Sequence, residues 1–297
     1  MRKKFIHILV WLGILSVLTV FVMGMWMLCG GNQTTASLKW LQFVQTAATF
    51  LLPPVICAWM WDKDRKPMAW LKLDKGADGR IFLLAVAVMV CAIPGINLLA
   101  DLNSRIRLPE SLGFIEQLLK QQEEAAALLT ERFLQADNIW GLLVNIGLMA
   151  LLPALAEELS FRGTLQQILS DSPEDNRTAQ SSALAIWTTA IVFSAIHMQF
   201  YGFIPRMLMG AMFGYVFVWT GSLWVPVLMH FTNNCIAVLV YYLTDDGGQN
   251  SIADTFGSGD TWWIGALSLV AVGCLLWLLR RITSPDQQGF GRRTRTQ

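Results

Sequence analysis

Long apolar stretches separated by short polar links run the length of this chain. A helix needs about 20 residues to cross roughly 30 Å of hydrocarbon. Runs of that order lie near residues 5–28, 40–61, 80–100, 138–158, 182–200, 203–220, 222–243 and 261–281. The pattern predicts an all-α, polytopic bundle of about eight membrane helices, the middle four closely spaced. Residues 110–136 differ in kind: they are amphipathic at helical period, with several Glu on the polar face. This predicts a solvated connector helix, or one lying on the membrane surface as a lid over the spans.

Composition agrees with a bilayer setting. Of 297 residues, 54% are hydrophobic and 14% charged, against about 25% charged in a soluble domain. The net charge of +1 gives no bulk attraction to nucleic acid, so no nucleic-acid partner is expected. The lipid bilayer is the expected surround. Five cysteines (29, 57, 91, 235 and 274) lie in or beside apolar segments without Cys-x-x-Cys spacing, and read as small apolar fillers. Residues 1–29 hold an apolar run too long for a signal-peptide core and lack a small-residue cleavage site, so they read as a first membrane helix.

Basic residues orient the spans. Arg2, Lys3 and Lys4 precede the first, six Lys or Arg lie between Lys63 and Arg80, and five Arg follow residue 279. The link at 29–39 holds one Lys, and 244–260 holds four Asp with no Lys or Arg. Both termini are therefore expected in the cytoplasm, and the short loops suggest a bacterial plasma membrane. One integrated membrane unit is expected, in three parts: residues 1–136 with the amphipathic connector, a core at 137–243, and 244–297 with the last helix and a basic tail. The tail after Thr283 reads as disordered.

Within this background, Glu157 and Glu158 stand adjacent in an apolar helix, with Arg162 one turn on. A charge at mid-bilayer costs about 2.5–3.5 kcal/mol even on lenient insertion scales, which makes these residues functional-site candidates. Glu158 and Arg162 have the i,i+4 order that favours an ion pair. Glu157 is turned by about 100° from Glu158 and is free for chemistry. His197 and His230 also lie deep in apolar segments, with Phe193 and Asn234 on their respective helix faces at spacing four. His7 sits near the interface and reads as structural. If the polar link 170–180 turns near Asp175–Asn176, Glu157 and His197 stand roughly 27 and 32 Å from it, at similar depth.

A buried carboxylate can act as general base toward water. A histidine can orient that water or protonate a leaving amine, while the Asn234 amide and a second imidazole stabilise an oxyanion. This is a constellation for amide hydrolysis. No Gly-x-Ser-x-Gly occurs, and Ser160 reads as a packing residue. Glu157, His197 and His230 are also acceptable zinc ligands, so a metal site stays open as the alternative to a cofactor-free one.

The three pairings coincide with motifs. Glu157-Glu158-Leu-Ser-Phe-Arg162, Phe193-Ser-Ala-Ile-His197 and His230-Phe-Thr-Asn-Asn234 resemble, in order and spacing, the CAAX-processing and bacteriocin-processing family of membrane proteases, which includes the Ras-converting CAAX endopeptidase. The resemblance covers roughly residues 140–243. It implies an eight-helix bundle with a cavity open to the cytoplasm and an endopeptidase acting on a peptide or protein substrate, including one lipidated at its C-terminus. It further implies that Glu157 activates water with help from His197. His230 and Asn234 would line the oxyanion site, with Glu158, Arg162 and Phe193 supporting; glutamate-based and metal-dependent mechanisms are both compatible.

Two other readings use the same residues. One is a non-catalytic peptide-binding, bacteriocin self-immunity or scaffold protein. The other is a proton-coupled transporter, which the lack of visible repeats disfavours despite helix-breaking Pro94-Gly95, Pro153 and Pro226. Gly210-Ala-Met-Phe-Gly214 is a Gly-x-x-x-Gly face, read as packing inside the bundle rather than as a dimer contact.

Overall fold

The apolar runs become helices because hydrocarbon offers the backbone no hydrogen-bond partner outside the segment itself. The computed structural model describes residues 2–61, 66–170, 179–244 and 255–284. Within these the chain forms α1 (Arg2–Leu28), α2 (Thr35–Trp61), α3 (Gly79–Ser104), α4 (Gly113–Leu134) and α5 (Ile139–Leu169). It continues with α6 (Ala179–Ala195), α7 (Phe203–Thr220), α8 (Trp224–Leu243) and α9 (Trp262–Thr283). Among the described residues there is no strand. The expected turn at Asp175–Asn176 and the tail beyond residue 284 lie outside the described residues.

Among the described residues seven helices are long and apolar enough to cross a membrane, and an eighth apolar segment, Ala183–Ala195, is shorter. The protein is a multi-pass membrane protein. Three expected boundaries move, each for a physical reason. The second span starts at Thr35, because Thr34 caps it by accepting from the Ser37 N–H. Lys39 therefore lies inside α2 rather than in a loop, and its Nζ donates to Asn145 Oδ1 at 2.7 Å. The fourth span runs on to Leu169, since the charges that seemed to end it point inward. The fifth helix stops at Ala195, five residues short of expectation. Buried Asn103 of α3 receives the irregular backbone that follows: its Nδ2 donates to Phe200 O at 2.9 Å, and its Oδ1 accepts from Ile204 N at 2.9 Å. Such side-chain partners are what non-helical backbone at membrane depth requires.

Prolines shape the interior without ending helices. The π-helical turns Ala47–Leu51 and Ile146–Leu151 each lead directly into proline-bearing segments, Leu52-Pro53-Pro54 and Leu152-Pro153. Pro54 has no N–H to give to Phe50 O, and the Ser160 hydroxyl of α5 donates to that carbonyl at 2.7 Å. In α3, beside Pro94, the Ser268 hydroxyl of α9 accepts from Gly95 N at 3.0 Å and donates to Cys91 O. Interrupted backbone ladders are thus repaired from neighbouring helices.

The Gly-x-x-x-Gly face does pack within the bundle. A Cβ on Gly210 would meet Phe193 and Ala190 of α6 at 3.2 and 3.3 Å; one on Gly214 would meet Gln166 and Ile186 at 2.7 and 2.9 Å. The carbonyls so exposed accept from α5: Arg162 Nη2 donates to Gly210 O at 2.9 Å and Gln166 Nε2 to Gly214 O at 3.2 Å. Two rungs at matching i,i+4 spacing lock α5 to α7. The amphipathic segment forms α4, which contacts α2, α5, α8 and the 3-10 turn Phe200–Gly202. The Tyr201 N–H donates to Glu123 Oε2 of α4 at 3.4 Å, and Asn145 Nδ2 donates to Leu134 O at its C-terminus at 2.7 Å. His7 stacks on Trp61 with ring centroids 4.3 Å apart, as a structural residue would.

Candidate active site

Three helices supply the centre. Glu157, Glu158 and Arg162 come from α5, where a third π-helical turn, Phe161–Gln166, begins just after the acids and carries Arg162. Such turns recur at functional sites because they re-aim side chains out of regular register. His230 comes from α8, and Phe193 with His197 from α6 and the turn after it.

Glu158 is fully buried, as is Arg162. Glu158 Oε1 accepts from Arg162 Nη1 at 2.7 Å and stands 2.9 Å from His230 Nδ1. One carboxylate oxygen therefore holds the guanidinium and orients an imidazole. The Arg162 guanidinium also lies 4.7 Å from the Phe193 ring centroid and 5.4 Å from that of Phe213, and aromatic faces favour a desolvated cation. Phe193 packs edge-on against His197 and His230, with centroids 5.1 and 6.0 Å away, while Phe213 lies tilted 30° to His230 at 5.5 Å.

Glu157 faces the other way. Its Oε2 is 3.8 Å from His230 Nε2 and 4.0 Å from His197 Nε2. Tautomers decide what this means. His197 Nδ1 lies 2.8 Å from Phe193 O; a carbonyl only accepts, so Nδ1 carries the proton and Nε2 the lone pair. His230 Nδ1 faces the Arg162-paired carboxylate of Glu158, so its proton also sits on Nδ1. Two lone pairs and a carboxylate oxygen therefore converge, all of them acceptors. Such an arrangement favours a proton-bearing group between them.

Asn234 lies one turn beyond His230 on α8 and is half-buried, its Oδ1 accepting from Asn233 Nδ2 at 3.2 Å. The structure brings Glu157, Glu158, Arg162, Phe193, His197 and His230 into one connected cluster, with Asn234 adjoining along its own helix. Sequence reasoning missed the contact of Glu158 with His230, and it missed Arg206, on the first turn of α7, which interacts electrostatically with Glu157 and His197. A lone cation in an apolar span was the signal for Arg206. Tetrahedral zinc at 2.0–2.1 Å draws its donors to about 3.4 Å of one another. Among the described residues no group of three or more His, Cys, Asp or Glu is arranged to hold a metal ion. A groove of about 560 Å³ lies elsewhere, between α2 and α5, lined by Lys39, Trp40, Phe43, Val144, Leu148 and Leu152 among others.

Fold and centre together define a class: a helical, multi-pass membrane protein built around buried glutamates and histidines. Residues 139–236 match the family described as type II CAAX prenyl endopeptidase Rce1-like. The uncharacterized protein YpbD of Bacillus subtilis (strain 168) is 31% identical over 91 residues, which are 29% of this chain and 40% of that relative. The chain thus spans less than half the length of that curated relative. No solved structure matches the chain significantly.

Proposed function

We propose that this chain is an intramembrane endopeptidase that hydrolyses a peptide bond with glutamate-activated water. The observation that carries this is the convergence of Glu157 Oε2 with two imidazole lone pairs at 3.8 and 4.0 Å. Those separations exceed a direct hydrogen bond and suit one water hydrogen-bonded to both sides. Glu157 removes a proton as the water oxygen adds to the scissile carbonyl carbon. The Asn234 amide donates to the resulting oxyanion; His230 joins it when protonated at Nε2, an imidazolium that Glu158 stabilises. As the C–N bond breaks, the proton held by Glu157 passes to the leaving nitrogen, giving an amine and a carboxylic acid, which then loses its proton to solvent. His197 orients the water, while Glu158, Arg162 and Phe193 hold His230 and the acid-bearing helix in place.

The substrate we propose is a peptide or protein of the CAAX type, lipidated near its C-terminus, as the description of the matched family suggests. The distribution of Lys and Arg supports cytoplasmic termini and residence in a bacterial plasma membrane.

Glu157→Gln tests the reading. At equal abundance, membrane fractions from cells carrying the wild type should contain new peptide C-termini that are missing with the variant, and cleavage should persist after exhaustive chelation. Full cleavage by Glu157→Gln would sink the assignment of the base. Identical peptide profiles would transfer the site to a binding, immunity or scaffold role, and loss of cleavage on chelation that zinc restores would replace the metal-free mechanism.

A further inference from the structure

Arg206 is the charged residue of the centre that the steps above leave without work. It lies on the first turn of α7, one turn (about 6 Å of rise) before Gly210, whose carbonyl accepts from Arg162 at 2.9 Å. Its Nη2 donates to Gln199 Oε1 at 2.7 Å, across the turn that carries His197. Gly202 makes room for the guanidinium: a Cβ there would stand 3.0 Å from Nη2. Nη1 is buried and has no hydrogen-bond partner. Among the described residues Arg206 forms no ion pair.

Electrostatics make this an unfavourable place for an unaccompanied cation. A buried charge requires a partner, and the positive end of a helix adds to the cost. Arg162, by contrast, has its own carboxylate. Glu123 of the amphipathic helix and Glu157 both act on Arg206 at a distance, without touching it. A fixed donor edge with no carboxylate in contact matches an anion that arrives and leaves, and a carboxylate presents the planar geometry that an arginine recognises.

We propose that Arg206 binds the C-terminal carboxylate of the peptide substrate, its Nη1 donating to one carboxylate oxygen while Gln199 holds Nη2. The assignment rests on the endopeptidase reading and deepens it: it makes the enzyme read the end of the chain, and so sets how far from that end the scissile bond falls. The helix α4 stands beside this subsite, since its Glu123 accepts from Tyr201 N.

The test uses the purified full chain in lipid nanodiscs and one farnesylated peptide ending Cys-Val-Ile-Met, prepared as the free acid and as the C-terminal amide. The free acid should bind and be cleaved roughly 10- to 100-fold better than the amide, the range of a hydrogen bond to a charged group. In Arg206→Gln that preference should collapse to near unity through loss on the acid alone, and Arg206→Lys should recover part of it. Gln199→Ala, which releases Nη2 but keeps the charge, should narrow the ratio without abolishing it. Equal losses for acid and amide in Arg206→Gln would make Arg206 a positioning residue and overturn the proposal. So would a wild type that does not distinguish the two, or that binds neither. Tighter binding of the acid without any cleavage would instead sink the endopeptidase reading and leave Arg206 as assigned; cleavage of both forms at one rate would do the reverse.

Discussion

Phe193 illustrates how much one residue contributes here. Its ring packs against both site histidines and under the Arg162 guanidinium, and its carbonyl accepts a hydrogen bond from His197 Nδ1. A motif phenylalanine that spacing placed only on the helix face of His197 thus fixes a tautomer. The polar members were legible because each is an anomaly in an apolar helix. The contact between Glu158 and His230 was not, because it joins residues 72 positions apart and depends on how α5 and α8 are rotated. Two substitutions separate chemistry from support. Asn234→Ala should lower turnover by about 10²–10³-fold with binding retained, as loss of an oxyanion donor does; a loss of binding instead would make it a specificity residue. Arg162→Met should leave the buried Glu158 carboxylate uncompensated and cost about 3–5 kcal/mol, read as a large fall in unfolding temperature in detergent. An unchanged transition would show that the pair contributes nothing to stability.

Helices as units were easier to foresee than their ends. The expected end of the fourth span at residue 158 was misplaced because hydropathy cannot tell an inward charge from an interfacial one, and α5 continues to Leu169. The early stop of α6 depends on Asn103, a residue of α3 about a hundred positions away. Proline repair was equally hidden, since it acts between helices. Ser160, read as packing, closes the carbonyl that Pro54 leaves open. Ser160→Ala should therefore destabilise by about 1–3 kcal/mol through an unpaired buried carbonyl. Adding Pro54→Ala restores an N–H to α2 and should recover part of that loss. Strict additivity of the two changes would argue against the link.

At the scale of the molecule, the all-helical membrane architecture was legible from hydropathy, whereas the convergence of α5, α6 and α8 was permitted by depth counting and became visible only with packing. Native cysteines offer a direct check of the proposed orientation. Cys29 is exposed at the end of α1, while Cys57, Cys91, Cys235 and Cys274 lie within membrane-crossing helices. A membrane-impermeant maleimide should label Cys29 in intact spheroplasts; labelling only after permeabilisation would reverse the topology.

The two rungs between α5 and α7 also bear on how the protein is made. Arg162 and Gln166 precede Gly210 and Gly214 in the chain by 48 residues, so they reach the bilayer before those carbonyls do. During that interval Arg162 has only Glu158, on its own helix, to neutralise it, and Gln166 lacks the Gly214 carbonyl. The ion pair that later steadies His230 thus first serves as an escort, making α5 tolerable to lipid until its partners emerge. Chains that stall before α7 would keep an unsatisfied polar face, which hydrocarbon penalises.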